Sequence, residues 1–199
     1  MVASRPSLGL ALLCLTLPVI AQPTVRSTLP ITVEAAGSDF DYKNGRVLLR
    51  QVTIVQGDTR VRAQQATATG LEFENSSWLF EGEVSIEAPE GSLASDTASV
   101  RFLDNTIQRA EVEGTPASFE RIDATRSVSG RAARIDYDLV AGTVRLTGEA
   151  WVSDGENEIV GTALVYSITE QRVLAEAAEQ GGQPVRITIQ PRSLEEPQP

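Results

Sequence analysis

Pairs of carboxylates are the side chains of this sequence whose spacing best suits chemistry. Two carboxylates on one face of a strand can act as an acid/base couple or hold a hard cation. The best candidate is Asp136 with Asp138, two residues apart, and Glu111 with Glu113 and Glu81 with Glu83 have the same spacing. Ile135 and Tyr137 alternate with the first pair. This alternation favours a solvated strand face over a catalytic couple.

The residues most often used in catalysis are scarce. The sequence contains no histidine, and its one cysteine is Cys14. The absence of histidine removes Ser-His-Asp, Cys-His and histidine–metal sites. We therefore predict that the protein is not an enzyme and has no cofactor and no metal.

The amino-terminal residues predict a signal peptide over 1–21. Arg5 precedes an apolar run from Leu8 to Ile20, and small side chains at Val19 and Ala21 suit cleavage after Ala21. The run is too short to span a bilayer, and an uncleaved anchor is the alternative. Cys14 would leave with this segment. Export without disulfides suits a bacterial periplasm.

The charge of the chain limits its partners. The formal net charge is −10, and neutralising nucleic-acid phosphates requires a basic surface. We therefore predict no nucleic-acid partner.

A repeated phrase organises the rest of the chain. Residues 48–54, 78–86 and 144–152 carry large apolar side chains at alternate positions, with polar residues between them. This period of two is typical of strands with one wet and one dry face. Repeated units of this kind stack to bury a shared face. We predict one all-β domain over 31–191, a flexible lead-in over 22–30 and a disordered tail over 192–199.

The dry face of these strands is the candidate ligand-binding surface. Aliphatic and small residues dominate it, which is compatible with a sealed core or with a groove for apolar chains. Its predicted members are Leu48, Val52, Ile54, Phe80, Val84, Ile86, Leu93, Val100, Ile135, Tyr137, Leu146, Ala150, Val152, Ile159, Leu164 and Tyr166.

Several segments resemble the OstA/LptA family of periplasmic lipopolysaccharide-transport proteins. Residues 114–119 read Gly-Thr-Pro-Ala-Ser-Phe, similar to the G-x-P-A-x-F segment of that family. Residues 128–132 are similar to its V-x-G-x-A pattern, and residues 144–150 to its v-x-L-x-G-x-A pattern. Residues 185–194 resemble its last strand and proline.

The resemblance implies an open, twisted antiparallel β-jelly roll built from repeated strand units. It further implies a hydrophobic groove that shields the lipid A acyl chains while lipopolysaccharide passes from the inner to the outer membrane. Members stack head to tail between inner-membrane and outer-membrane transport proteins. The edges expected to pair are Ile31, Val33 and Ala35 at one end and Val185, Ile187 and Ile189 at the other.

Two other functions remain open at this point. A self-assembling structural β protein of the cell envelope, with a sealed core and no ligand, would show the same strand pattern. Another periplasmic component of the same export pathway would share the resemblance.

Overall fold

The computed structural model of the protein describes residues 29–69, 75–89, 91–104, 106–122, 127–167, 170, 172–176 and 184–189. The predicted signal peptide, nearly all of the lead-in and the predicted tail lie outside the described residues. Within the described part of the chain, no helix has the length and apolar character needed to cross a membrane.

The described regular elements are twelve β-strands that form one antiparallel sheet. The strands are β1 Thr32–Glu34, β2 Gly37–Asp41, β3 Arg46–Gln56, β4 Thr59–Thr69, β5 Ser77–Ala88, β6 Gly91–Leu103, β7 Thr106–Ile122, β8 Ser127–Asp138, β9 Thr143–Ser153, β10 Asn157–Ser167, β11 Arg172–Glu176 and β12 Arg186–Ile189. From β3 to β10 each strand pairs with the next one in sequence. The predicted fold class, an open antiparallel β-jelly roll, is confirmed.

Each end of the sheet is formed by two short strands instead of one long strand. At the amino-terminal end, β1 and β2 both pair with β3. At the carboxyl-terminal end, β11 and β12 both pair with β10. The sheet therefore has two similar open edges and does not close into a barrel.

Apolar side chains cross the sheet in three continuous rows, each named here after one member. The Ile54 row consists of Val33, Ile54, Val61, Ile86, Leu93, Phe119, Gly130, Val152, Ile159 and Ile187. The Leu49 row consists of Leu49, Ala66, Phe80, Ala98, Val112, Ile135, Leu146, Leu164 and Ala175. The Val47 row consists of Phe40, Val47, Ala68, Trp78, Val100, Ala110, Tyr137, Val144, Tyr166 and Val173.

A line of β-bulges separates the Ile54 row from the Leu49 row. The register shifts at this level in six successive strand pairs, from β4–β5 to β9–β10. Gly82 and Glu83 have φ of 77° and 49°, and Gly148 and Glu149 have φ of 81° and 51°. Glycine adopts this left-handed region without steric cost, and bulges bend a strand. The repeated Gly-Glu of the sequence is therefore the point at which β5 and β9 bend.

The bent sheet buries its own inner face. Ile135 is 0% exposed, and the described elements include no second sheet and no helix that could cover it. Because no other described element covers this face, the two halves of the sheet must bend towards each other to bury it.

The bulges correct one predicted position. Alternation across residues 48–54 predicted Leu48 on the inner face, but the buried residues at this level are Val47 and Leu49. Gln51 has φ of 52°, and the alternation shifts there, so that Val52 and Ile54 return to the inner face. The prediction for Leu48 is wrong: it pairs with Thr67 and is half-buried on the outer face.

Replacing Ile135 tests whether the Leu49 row is the core of the fold. We expect Ile135→Ala to lower the free energy of unfolding by about 2–5 kcal/mol, because it leaves a cavity in the buried core. Val140→Ala is the control, since Val140 is 76% exposed in a turn and should change stability by less than about 0.5 kcal/mol. Equal losses in denaturant melts of the two variants would contradict this assignment.

Candidate apolar slot and the edges of the sheet

The inner face has a buried base and a partly exposed rim. The base is formed by the Leu49 row and by the residues next to the bulges, such as Val52 and Val84. It also includes the buried members of the Val47 row, which are Val47, Ala68, Trp78 and Val144. The rim is formed by half-buried apolar side chains of the two other rows that pack against this base. Its members are Val61, Leu93, Phe119, Val152 and Ile159 from the Ile54 row, and Val100, Tyr137 and Tyr166 from the Val47 row. We call the space between these two rows the slot.

Most of the predicted ligand-binding residues lie on this inner face. Those in the buried core are Val52, Ile54, Phe80, Val84, Ile135, Leu146, Ala150 and Leu164. Those packed against the core at the rim are Leu93, Val100, Tyr137, Val152, Ile159 and Tyr166. Ile86 is half-buried in the Ile54 row between Val61 and Leu93. These placements fix the face of each side chain, and their role in binding stays a prediction.

Phe119 is a rim residue that the sequence reasoning did not include. Its ring lies over Gly130 on the neighbouring strand, where any Cβ would overlap it. The sequence holds both residues within the segments that resemble the family. A large aromatic residue opposite a glycine on the neighbouring strand could have indicated Phe119. This signal can be used only when the register of the two strands is known.

The interior has few polar groups. Among the described residues, the one buried side-chain polar atom without a hydrogen-bond partner is the Ser95 hydroxyl. It lies opposite Val84, beside the bulges. The slot can therefore contact hydrocarbon but offers few directional bonds that would hold a ligand in one place.

The carboxylate pairs lie on the outer face, as the alternation predicts. Arg134 donates hydrogen bonds to Asp136 at 3.0 Å and to Glu113 at 3.0 Å, and it also pairs with Glu111. Its hydrogen bond to Asp136 raises the pKa of Arg134. Three carboxylates thus share one guanidinium, which favours a structural ion-pair network over an acid/base couple.

The other three residues of these carboxylate pairs accept hydrogen bonds from nearby groups or are exposed to solvent. Asp138 accepts hydrogen bonds from the Ala141 backbone N–H at 2.9 Å and from Arg109 at 2.7 Å, and both lower its pKa. Glu81 accepts one from the Gln65 amide at 3.2 Å. Glu83 is exposed at its bulge. The described residues include no cluster of potential metal ligands.

The predicted pairing residues lie at opposite edges of the sheet. Val33 is 40% exposed on β1, whereas Ile187 and Ile189 are 60% and 71% exposed on β12. Ile31 and Ala35 are also exposed, and Val185 is half-buried. A strand paired on one side only presents free N–H and C=O groups to another chain. Val33 and Ile187 are also the two ends of the Ile54 row.

The fold and the slot define an open antiparallel β-jelly roll with an apolar interior and no catalytic constellation among its described residues. A family profile described as LptA/(LptD N-terminal domain) LPS transport protein matches residues 32–172. This match covers well over half of the chain, and the protein belongs to that family of lipopolysaccharide (LPS) transport proteins.

Individual relatives match shorter stretches. The "Lipopolysaccharide export system protein LptA" of Escherichia coli K12 is 30% identical over 84 residues, which are 42% of this chain and 44% of that protein. LptA of Shigella flexneri matches to the same extent. The alignment thus spans less than half the length of these curated relatives.

One similar solved structure is that of LptH from Pseudomonas aeruginosa. It is described as the LptA homologous periplasmic component of the conserved lipopolysaccharide transport device. The sequence identity is 22%, the TM-score is 0.45, and the match covers 83% of this chain and 98% of LptH.

Tyr137 offers a test of the polarity of the slot. Burial raises the pKa of its phenol above the usual 10.0, and Arg121 opposes the shift. The folded protein favours the neutral phenol. The contribution of Tyr137 to stability is therefore complete below pH 10, where the phenol is neutral in both states, and is lost as the pH rises towards the pKa of the folded state. We expect Tyr137→Phe to flatten the fall of the melting temperature between pH 9 and 11. Tyr42→Phe, at a side chain that is 77% exposed, should keep the wild-type profile, and matching profiles of all three proteins would exclude the effect.

Proposed function

We propose that the protein is a periplasmic bridge that binds lipopolysaccharide and shields its lipid A acyl chains in the slot on the way from the inner to the outer membrane. The observation that carries the proposal is the continuity of the apolar rows. The Ile54 row crosses ten strands without interruption and ends at both open edges. A row of this kind is a surface along which an apolar chain can move.

The energetics of the cargo favour such a surface. Each methylene of an acyl chain gains about 0.8 kcal/mol when it leaves water, so a lipid with several chains does not cross an aqueous space unshielded. The half-buried rim side chains, such as Leu93 and Val152, can give up their remaining exposed area to these chains. Because the buried polar residues among those described are three serines, Ser76, Ser95 and Ser153, the cargo would be held mainly by apolar contact area and could slide.

The two edges support head-to-tail stacking. If the β1 edge of one copy pairs with the β12 edge of the next, Val33 follows Ile187 and the Ile54 row continues from chain to chain. Such pairing is β-augmentation. The contact is heterologous, so it repeats without closing and extends a filament. At the two ends of the stack, the same edges would be free to pair with inner-membrane and outer-membrane transport proteins.

The export of the chain is part of the proposal. A bridge between two membranes must lie in the periplasm, and residues 1–21 have the pattern of a cleaved signal peptide.

One observation favours the sealed structural protein as a second candidate. Val52, Val84, Ile135 and Leu164 are almost fully buried by the chain itself. The base of the interior is therefore closed, and only the rim can admit acyl chains. A protein in which the rim also stays closed would assemble through its edges but carry nothing.

Site-specific crosslinking separates these two candidates. A photo-crosslinking residue at Leu93 or Ile159, both half-buried in the Ile54 row, should form adducts with lipopolysaccharide in cells that make it. The matched controls are the exposed outer-face neighbours Ser92 and Glu158. We expect at least tenfold more adduct at the rim positions than at the controls.

Either of two crosslinking results would contradict the slot. Equal adduct yields at rim and control positions would indicate non-specific contact. A lack of adducts at all four positions, with normal amounts of folded protein, would favour the sealed structural protein.

Edge pairing is tested by placing a charge within the Ile54 row. Ile187→Lys would bring a lysine into the apolar row at the junction, and we expect self-association to weaken by at least tenfold in sedimentation measurements. Thr188→Lys is the matched control, because Thr188 faces the other side of β12 and should change association by less than about threefold. A larger effect at Thr188 than at Ile187 would contradict the continuous row.

A further inference from the structure

Arginines form an unusual group on the outer face near one end of the strands. Arg46, Thr69, Ser77, Arg101 and Arg109 lie opposite one another in register on β3 to β7. The whole chain carries a net charge of −10. The row continues to Asp41 opposite Arg46 and to Asp138 opposite Arg109. Arg101 is thus the cation of the row that has no carboxylate opposite it.

Two of these arginines are in an unfavourable arrangement. Arg101 and Arg109 are directly opposite each other on β6 and β7, and like charges in this position destabilise a sheet. Arg109 is compensated by its 2.7 Å ion pair with Asp138. Within the described residues, neither Arg101 nor Arg46 is part of an ion pair. The repulsion at Arg101 remains uncompensated in the protein alone.

The arginines surround a concavity of about 450 Å³ on this face. Its lining is mostly apolar and consists of Thr67, Thr69, Ser77, Ser99, Trp78, Leu79 and Val100 besides the charged residues. The Thr69 hydroxyl donates to the Ser77 carbonyl oxygen at 3.3 Å. The one carboxylate in the lining, Glu111, is held by Arg134. Guanidinium groups bind phosphate oxygens with two parallel hydrogen bonds, and hydroxyls can donate to the remaining oxygens.

The concavity adjoins the slot through the strand backbone. Ser77 and Arg101 are each one residue away from a member of the Val47 row, namely Trp78 and Val100. Arg46 is the first residue of β3 and lies beside the hairpin turn. Because neighbouring residues of a strand point to opposite faces, a lipid with its acyl chains in the slot would have to reach the concavity around this end of the strands.

We propose that Arg46, Arg101 and Arg109 form a binding site for phosphoryl groups. The inference rests on the proposed function in one respect, because it identifies the phosphates of the cargo head group as ligand. Free phosphate has the same chemistry, and the experiment separates the two sources. A bound phosphoryl group would also relieve the repulsion between Arg101 and Arg109.

The test compares two lipids on three forms of the full chain. The lipids are lipid A with both phosphates and the same lipid after removal of its phosphates. The variants are Arg46→Gln with Arg101→Gln, and the control Arg62→Gln, which removes an outer-face arginine paired with Glu87 at 2.9 Å. We expect the double variant to bind phosphorylated lipid A at least tenfold more weakly, to bind the dephosphorylated lipid as wild type does, and to melt no lower than wild type in phosphate-free buffer. The control should bind both lipids as wild type does.

The outcomes separate this site from the proposed function. Unchanged binding of phosphorylated lipid A by the double variant, or equal losses for both lipids, would overturn the phosphate site while the slot stands. If the wild type binds neither lipid, the proposed function fails. A titration of the wild type and the double variant with inorganic phosphate, followed by phosphorus NMR, then tests the phosphate site by itself. Saturable binding that the double variant loses would then establish a free-phosphate site, and the lack of such binding would overturn the inference.

Discussion

The structure depends on one constraint: a single sheet has to bury its own apolar face. The described elements are all strands of this sheet, so burial has to come from the bend along the line of bulges. The Gly-Glu pairs at 82–83 and 148–149 supply left-handed backbone at this line, and a residue other than glycine at 82 or 148 would be strained there. The bend brings the Ile54 and Val47 rows towards each other and leaves the Leu49 row as a sealed base. Stability and the slot thus come from the same feature.

The same constraint leaves the edges open. A sheet that bends instead of closing keeps two unpaired ends, and here both ends are split into short strands. Short edge strands limit uncontrolled pairing, while the exposed Val33 and Ile187 keep the apolar row available at the junction. This balance between protection and pairing is what the proposed end-to-end association in a fixed register would require. The outer face carries charged side chains instead of buried apolar ones. The network around Arg134 lies at the bulges, and the row from Arg46 to Arg109 lies nearer the strand ends.

Much of the fold and of the inner face could be predicted from the sequence, because the alternation of apolar and polar residues indicates the dry face of each strand. Alternation fails where a bulge intervenes. Leu48 was assigned to the inner face because Gln51, unlike Gly82 and Gly148, gives no glycine signal for the left-handed backbone that shifts the pattern. Contacts between strands could not be predicted from the sequence either. The pairing of Phe119 with Gly130, and of Arg101 with Arg109, depends on the register. The edges at residues 31–35 and 185–189 were found because they flank the repeated units and have apolar alternation of their own.

The two tryptophans allow the most direct test of the central claim, that apolar cargo enters the inner face. Trp78 lies in the Val47 row on the inner side, whereas Trp151 lies on the outer face beneath the Arg131 guanidinium, 4.4 Å from its ring centroid. Trp151→Phe and Trp78→Phe each leave one reporter, and lipid A with brominated acyl chains quenches the fluorescence of a tryptophan that it contacts. Because Trp78 is only 6% exposed beneath the rim, the account predicts partial quenching of Trp78 and weaker quenching of Trp151. Quenching of Trp151 alone, or of neither residue while the lipid is bound, would contradict it.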